Sequence, residues 1–318
     1  MKRILVGLAV LALSAALLWL LTTYDLSMLR RLPTTVIAVL VVLSLVYSLI
    51  YGVGVAWLLR GLGQPRPVWR VFLVISGGGT ASYLGNLQLG IPLRLLLFNK
   101  ILDVPYAQGA AAVALETACW FGLMGVGLLL AGTASNLVPW IAMLTMLVLS
   151  VIAYRTAPAA LRLLNAWLPD RVRGVSLKRL RDFVGHLAVA VATLRWTWLL
   201  ATLAVFSTNY LIDALSVSLI VHSLGQQIAL LSALEAVILS YLAGLISFIP
   251  LGLGVRDVSL VVLLENGGVS RDVATSVAIV HRVLRTVLPL LIGLVAINLL
   301  GARQILSASP KDQPSQGR

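Results

Sequence analysis

Along the chain, long apolar runs alternate with short polar interruptions. A hydrocarbon core about 30 Å thick needs some 20 apolar residues at 1.5 Å rise each. Six runs meet or approach that length: Ile4–Thr23, Thr35–Leu59, Ala107–Ala131, Leu137–Tyr154, Trp196–Val221 and Val273–Leu300. The last is long enough to tilt. Two further apolar segments are broken. Val71–Leu97 carries Gly77-Gly78-Gly79 and Pro92. Ile228–Asn266 breaks at Pro250, loosens at Gly252 and Gly254, and continues as a short arm, Val255–Leu264. The breaks echo each other. Ser82–Arg94 (SYLGNLQLGIPLR) and Ser240–Asp257 (SYLAGLISFIPLGLGVRD) both begin Ser-Tyr-Leu and reach Ile-Pro-Leu nine residues after the Ser. Strand-like alternation is absent, which excludes a membrane barrel.

The polar interruptions assign sides. Basic loops face the cytoplasm. Arg60, Arg66 and Arg70 mark one such loop, and Arg155–Arg195, with eight Lys/Arg against two Asp, marks another. The second is expected to form surface helices with Trp167 at the interface. Gly132–Asn136 and His222–Gln227 contain no Lys, Arg, Asp or Glu and suit the outside. Parity then requires each broken segment to return to its own side. Val71–Leu97 becomes a hairpin from the cytoplasm turning near Ile91-Pro92. Ile228–Asn266 becomes one from the outer face turning near Ile249-Pro250. Three spans separate them, so the halves are inverted, an arrangement typical of transporters. The competing reading makes either segment a full span with an uncharged kink. Met1-Lys2-Arg3 and the run to Leu21 look like a signal peptide, but the apolar run passes Ser14-Ala15-Ala16 uninterrupted, which favours an uncleaved first span. The expected fold is therefore an all-α polytopic membrane protein, with about six full spans and two re-entrant helical hairpins in an inverted repeat. Residues 1–302 form the membrane domain. Residues 303–318 form a disordered tail. Both termini lie in the cytoplasm.

Composition sharpens this picture. Hydrophobic residues make up 60% of 318 and charged residues 11%, against about 25% charged in soluble domains. The net charge of +13 sits mostly in loops, so it suits anionic lipid rather than nucleic acid. The single cysteine, Cys119, allows no internal disulfide. The three histidines are scattered and no zinc spacing occurs, so neither a metal nor a cofactor is expected. Gly77-Gly78-Gly79 lacks the Lys-Ser/Thr of a phosphate loop and suits close helix packing instead. No nucleophile-elbow pattern appears.

Ionisable groups inside apolar runs are costly and so stand out. They are Glu116, Asp213, Arg256 and Asp257 after the Pro250 break, and His281, Arg282 and Arg285 in the last run. Arg282, Arg285 and Pro289 share one helix face. Two arginines on one face invite an anion or carboxylate between them, and the guanidinium fork matches phosphate. Gly252 and Gly254 open the short arm, so its backbone N–H groups could add to an anion site. Comparison of the two repeats places Glu116 near His281 once the loop gains a few residues. Three readings follow: an anionic-headgroup site, structural ion pairs of Arg282 or Arg285 with Glu116, Asp213 or Asp257, and a proton relay through Glu116 or Asp213.

One further pattern joins these residues: Asn86…Pro92-x-Arg94, Val104-Pro105…Glu116, Ile249-Pro250-x-Gly252-x-Gly254-Val255-Arg256-Asp257, Gly268-Val269 and Arg282. From about Ile4 to Gly301 the chain resembles the lysylphosphatidylglycerol synthase/flippase transmembrane family. It departs from the family pattern at Leu251, usually Gly, at Asp257, usually Glu, and before Arg94, where a Gly-acid pair is missing. The resemblance implies movement of a lipid or lipid-linked headgroup between leaflets. The aminoacyltransferase domain of two-domain members does not follow before Arg318, so the resemblance does not extend to synthase activity. The expected protein is an inner-membrane lipid translocase of a bacterium or archaeon, not an enzyme. Arg256, Arg282, Arg285, Gly252, Gly254, Asp257 and Arg94 would bind substrate. Glu116, Asp213 and His281 would balance charge or couple protons. The partner is an anionic or phosphate-linked lipid, with a lipid-modifying enzyme as a further possible partner. The rival readings are a non-transporting subunit that scaffolds a glycosyltransferase or envelope-lipid enzyme, and an integral-membrane lipid transferase.

Overall fold

The computed structural model describes residues 31–84, 87–131, 156–167, 171–172, 175–176, 178–247, 252 and 254–301. Among these, four helices are long and apolar enough to cross a membrane: α1 (Thr34–Gly61), α4 (Tyr106–Ala131, apolar over Tyr106–Gly127), α7 (Trp196–Ser223) and a continuous helix over Arg271–Leu299. The last is divided into α10 (Arg271–Arg282), a π turn (Val283–Val287) and α11 (Leu288–Leu299). Each coincides with an expected span. The expected spans Ile4–Thr23 and Leu137–Tyr154 lie outside the described residues, as does the 303–318 tail. The protein is thus an all-α, multi-pass membrane protein. Ile37, Val42 and Leu49 on α1 and Leu291, Val295 and Leu299 on α11 are exposed, a surface that only hydrocarbon would solvate well.

Each broken segment is a pair of helices packed on each other. The first pairs α2 (Val68–Leu84) with α3 (Leu87–Leu102). The second pairs α8 (Leu230–Ile246) with α9 (Val255–Asn266). The second break lies between Ile246 and Val255, and the expected turn at Ile249-Pro250 within that interval lies outside the described residues. The first does not fall at Ile91-Pro92. Pro92 lies inside α3, and the first helix of the pair runs to Leu84 while the second starts at Leu87. Pro92 is the sixth residue of α3, where its missing N–H forfeits the bond to the Gln88 carbonyl, yet the helix continues to Leu102.

The core is bipartite. One cluster joins Val55, Leu58 and Leu59 of α1 with Val71, Val74, Leu97, Phe98 and Ala112. The other joins Val217, Ile220 and Val221 of α7 with Val237, Ile238, Leu260, Leu264 and Val277. Each hairpin therefore has its own apolar core. Trp120 of α4 packs on both, stacking on Phe206 at 5.1 Å and meeting Tyr210 edge-on at 5.0 Å. Between the halves, α1 and α7 lie against each other, close enough that Thr202 Oγ1 donates to the Gly54 carbonyl at 3.4 Å.

The basic segment supplies surface structure. Residues 156–167 are helical (α5), and Trp167 is exposed. A two-residue β-ribbon follows, β1 (Arg171–Val172) with β2 (Val175–Ser176). Next comes α6 (Lys178–Ala192), whose Val184, Ala188 and Val191 are buried. The β-ribbon was not expected. At the opposite loops, Gln226 links α7 to the start of α10, accepting from Ser270 N–H at 2.8 Å and donating to Ser270 Oγ at 2.6 Å.

Candidate functional site

A cavity of about 520 Å³ lies between the two hairpins, within the range typical of small-molecule sites. Its wall draws on α1, both hairpins, α4, α7 and the π-turn region. It contains Arg94, Glu116, Gly252, Arg256, Arg282 and Arg285 together with Tyr47, Tyr51, Trp120, Tyr210 and Tyr241. Residues as far apart in sequence as Tyr47 and Arg285 thus share one space.

On the side of the first hairpin, Arg94 and Glu116 form a two-pronged ion pair. Arg94 Nη1 donates to Glu116 Oε1 at 3.1 Å and Nη2 to Oε2. Tyr51 donates to the same carboxylate and accepts from Arg94 Nη1 at 3.2 Å. The planar fork saturates the carboxylate, so this side is internally neutralised.

The side of the second hairpin is a longer network. Arg282 grips Asp257 through Nε (2.9 Å to Oδ1) and Nη2 (2.5 Å to Oδ2). Asp257 also accepts from the Gly254 N–H at 3.3 Å, so in this arrangement a side chain of the protein takes the N–H expected to reach an anion. Gly252 and Gly254 have φ of 60° and 79°, and Gly252 turns its carbonyl to Arg282 at 3.4 Å. Asp213 of α7 is buried and accepts from Arg285 Nε, from Tyr241 at 3.2 Å and from His281 Nε2 at 3.2 Å. Arg285 Nη1 also reaches Ser44 at 3.2 Å, and its guanidinium lies 4.0 Å from the centre of the Tyr47 ring. Arg256 stands apart. Its Nη2 approaches His281 Nδ1 at 3.2 Å and its guanidinium lies 3.9 Å from the centre of the Tyr241 ring, yet none of the described carboxylates pairs with it. Four arginines meet three carboxylates, and the unmatched positive charge falls on Arg256.

The π turn helps place Arg285. Pro289 lacks the N–H that would bond the Arg285 carbonyl, and the helix widens just before it. Arg282 also lines a second cavity of about 160 Å³ between α9 and α10. Among the described residues, no group of three His, Cys, Asp or Glu could hold a metal ion.

All ten residues singled out in the sequence therefore lie in or beside one site. They pair differently from the simplest reading, because Glu116 serves Arg94 rather than the arginines of the last span. The ion-pair reading describes Arg282 with Asp257 and Arg285 with Asp213 as they stand. The aromatic lining was missed. Its available signal was the i, i+4 spacing of Tyr47 and Tyr51 on α1, together with Tyr241 inside the Ser-Tyr-Leu echo.

The lysylphosphatidylglycerol synthase TM region family matches residues 4–293, which include every one of these side chains. The chain belongs to that family. Membership supports a lipid-translocase role for this transmembrane region. The match is to the transmembrane region of such proteins, and the role it supports is lipid transport. No curated protein and no solved structure gives a significant match to the chain.

Proposed function

We propose that this member of the lysylphosphatidylglycerol synthase TM family carries the anionic headgroup of a membrane lipid through the cavity between its two hairpins. The observation that carries the reading is the unmatched charge of Arg256 on the wall of a 520 Å³ cavity. A buried guanidinium without a carboxylate is costly, and a phosphate would satisfy it. Arg256 makes the first contact with the phosphate. Arg282 and Arg285 can share it by loosening from Asp257 and Asp213, and Arg94 faces it across the cavity. Gly252 and Gly254 let the backbone approach closely. Glu116 and Asp213 balance charge when the cavity is empty, and neutral His281 offers Arg256 an acceptor. The tyrosines and Trp120 give the headgroup polar edges and flat apolar faces.

The contacts favour two inverted, quasi-equivalent halves. In each, a hairpin arginine packs on a glycine of the preceding helix. A Cβ on Gly78 would lie 3.0 Å from Arg94 Cβ, and one on Gly244 would lie 3.1 Å from Arg256 Cβ. Each arginine then meets a polar residue of the following span, Glu116 or His281. α1 and α7 pair at the centre. On this reading both hairpins are re-entrant, the protein sits in the inner membrane with cytoplasmic termini, and the halves rock to expose the cavity alternately.

The test is flipping of fluorescent anionic phospholipid in reconstituted vesicles. Wild type is expected to exceed both protein-free vesicles and Arg256→Ala. Wild-type transport no faster than the variant, across a panel of anionic lipids, would remove the support for this reading.

A further inference from the structure

His281 is buried and held at both ring nitrogens. Nδ1 faces Arg256 Nη2 at 3.2 Å, and Nε2 faces Asp213 Oδ1 at 3.2 Å. A guanidinium can only donate, and a carboxylate paired to an arginine can only accept. The partners therefore assign the tautomer: a lone pair on Nδ1 and the proton on Nε2. Only neutral imidazole fits. Adding a proton to Nδ1 sets N–H against N–H and ends the bond to Arg256.

The surroundings say what would allow that proton. From α9 the ring faces Arg256. From α7 it faces Asp213, and from α8 it faces Tyr241, with ring centres 6.4 Å apart. The π turn contributes Arg285, which shares Asp213 Oδ1 and lies over Tyr47 of α1. On its own helix, Arg282 is occupied by Asp257 of α9. The positive group in direct contact with Nδ1 is thus Arg256, the same group that lacks a carboxylate and lines the cavity.

We infer that His281 is a proton site coupled to the headgroup site, so that the protein is a lipid–proton symporter. The inference rests on the headgroup reading above. A phosphodiester headgroup, which carries one negative charge, binds Arg256 and draws the guanidinium from Nδ1 toward the cavity. The freed lone pair takes one proton from cavity water, and the imidazolium keeps its Nε2–H on Asp213. One anion and one proton enter together, so the loaded site has the same net charge as the empty one. Without the anion, the proton would sit beside Arg256 and be expelled. Because linkage is reciprocal, each ligand favours the other.

The test is the pH dependence of binding of dihexanoyl-phosphatidylglycerol to the full chain in detergent, between pH 5 and 8. Proton uptake is counted independently from binding heats in buffers of different ionisation enthalpy. For wild type, Kd is expected to fall about tenfold for each pH unit of acidification over the lower part of the range, with uptake there approaching one proton per lipid. His281→Gln can still accept from Arg256 and donate to Asp213 but cannot be protonated. Its Kd is expected to stay near the wild type's high-pH value at every pH. A wild-type Kd independent of pH, or no proton uptake, overturns the coupling while leaving the headgroup site standing. So does a pH dependence that His281→Gln retains. Failure of wild type to bind the anionic lipid at any pH overturns both. Should His281→Gln not fold, the wild-type proton count decides alone.

Discussion

The two hairpins place the same kind of side chain against the same cavity and leave it in opposite states. Arg94 is closed: Glu116 takes both prongs of its guanidinium and Tyr51 bridges the pair. Arg256 is open: at the matching place on the next span stands His281, a neutral acceptor instead of an anion. The packing beneath is alike, arginine against glycine in both. The difference therefore comes from one residue on the following helix, Glu116 in one half and His281 in the other. Two quasi-equivalent hairpins of identical charge state would give a symmetric site with no preferred step. The exchange of a carboxylate for an imidazole leaves one half neutralised and the other with an unmatched positive charge.

The comparison can be broken most forcefully at the closed pair. Arg94→Ala strands Glu116 in the interior, and losing one partner of a buried pair costs about 3–5 kcal/mol. A marked fall in thermal stability in detergent is expected, partly restored by adding Glu116→Gln. Arg256→Ala strands no carboxylate and should melt much closer to wild type; equal destabilisation by both would erase the distinction. Next in size, Tyr51→Phe removes a hydrogen bond to a charged group and is expected to cost about 1.5–3 kcal/mol. Its effect should shrink in the Glu116→Gln background, where the acceptor is no longer charged, as a double-mutant cycle would show. Transport separates the halves the other way. Arg256→Ala is expected to slow flipping by about tenfold or more in reconstituted vesicles, equivalent to roughly 1.4 kcal/mol. The smallest effect tests the likeness itself. Gly78→Ala and Gly244→Ala each crowd an arginine stem, offset by about 1 kcal/mol of helix propensity. A similar net loss of about 1 kcal/mol at both sites supports equivalence, whereas a loss at one site alone would argue that the hairpins pack differently.

Much of this was readable from the chain. Four spans and the second break follow from run length and from Pro250, because a bilayer imposes a length on every apolar helix and tolerates few charges within it. The same scarcity made the site residues visible, since a charge inside an apolar run needs a reason. The first turn was not readable. Pro92 and Pro250 sit in matching Ile-Pro-Leu words, but one lies within α3 and the other falls between α8 and α9. The structural match runs through Gly78–Arg94 and Gly244–Arg256, a different register from the Ser-Tyr-Leu echo. A helix held by its packing can carry a proline past its first turn, and local words do not report where that happens.

Sequence alone determined the class, the approximate spans and the short roster of charged interior residues, because each depends on local composition measured against the bilayer. Only the tertiary structure decided which charges neutralise one another. Pairing depends on distances of 2.5–3.2 Å between side chains on different helices, such as Arg282 with Asp257 and His281 with Arg256 and Asp213. Arg256, one basic letter after a break in the sequence, holds the unmatched charge only because the helix that follows its hairpin presents an imidazole where the other half presents a carboxylate.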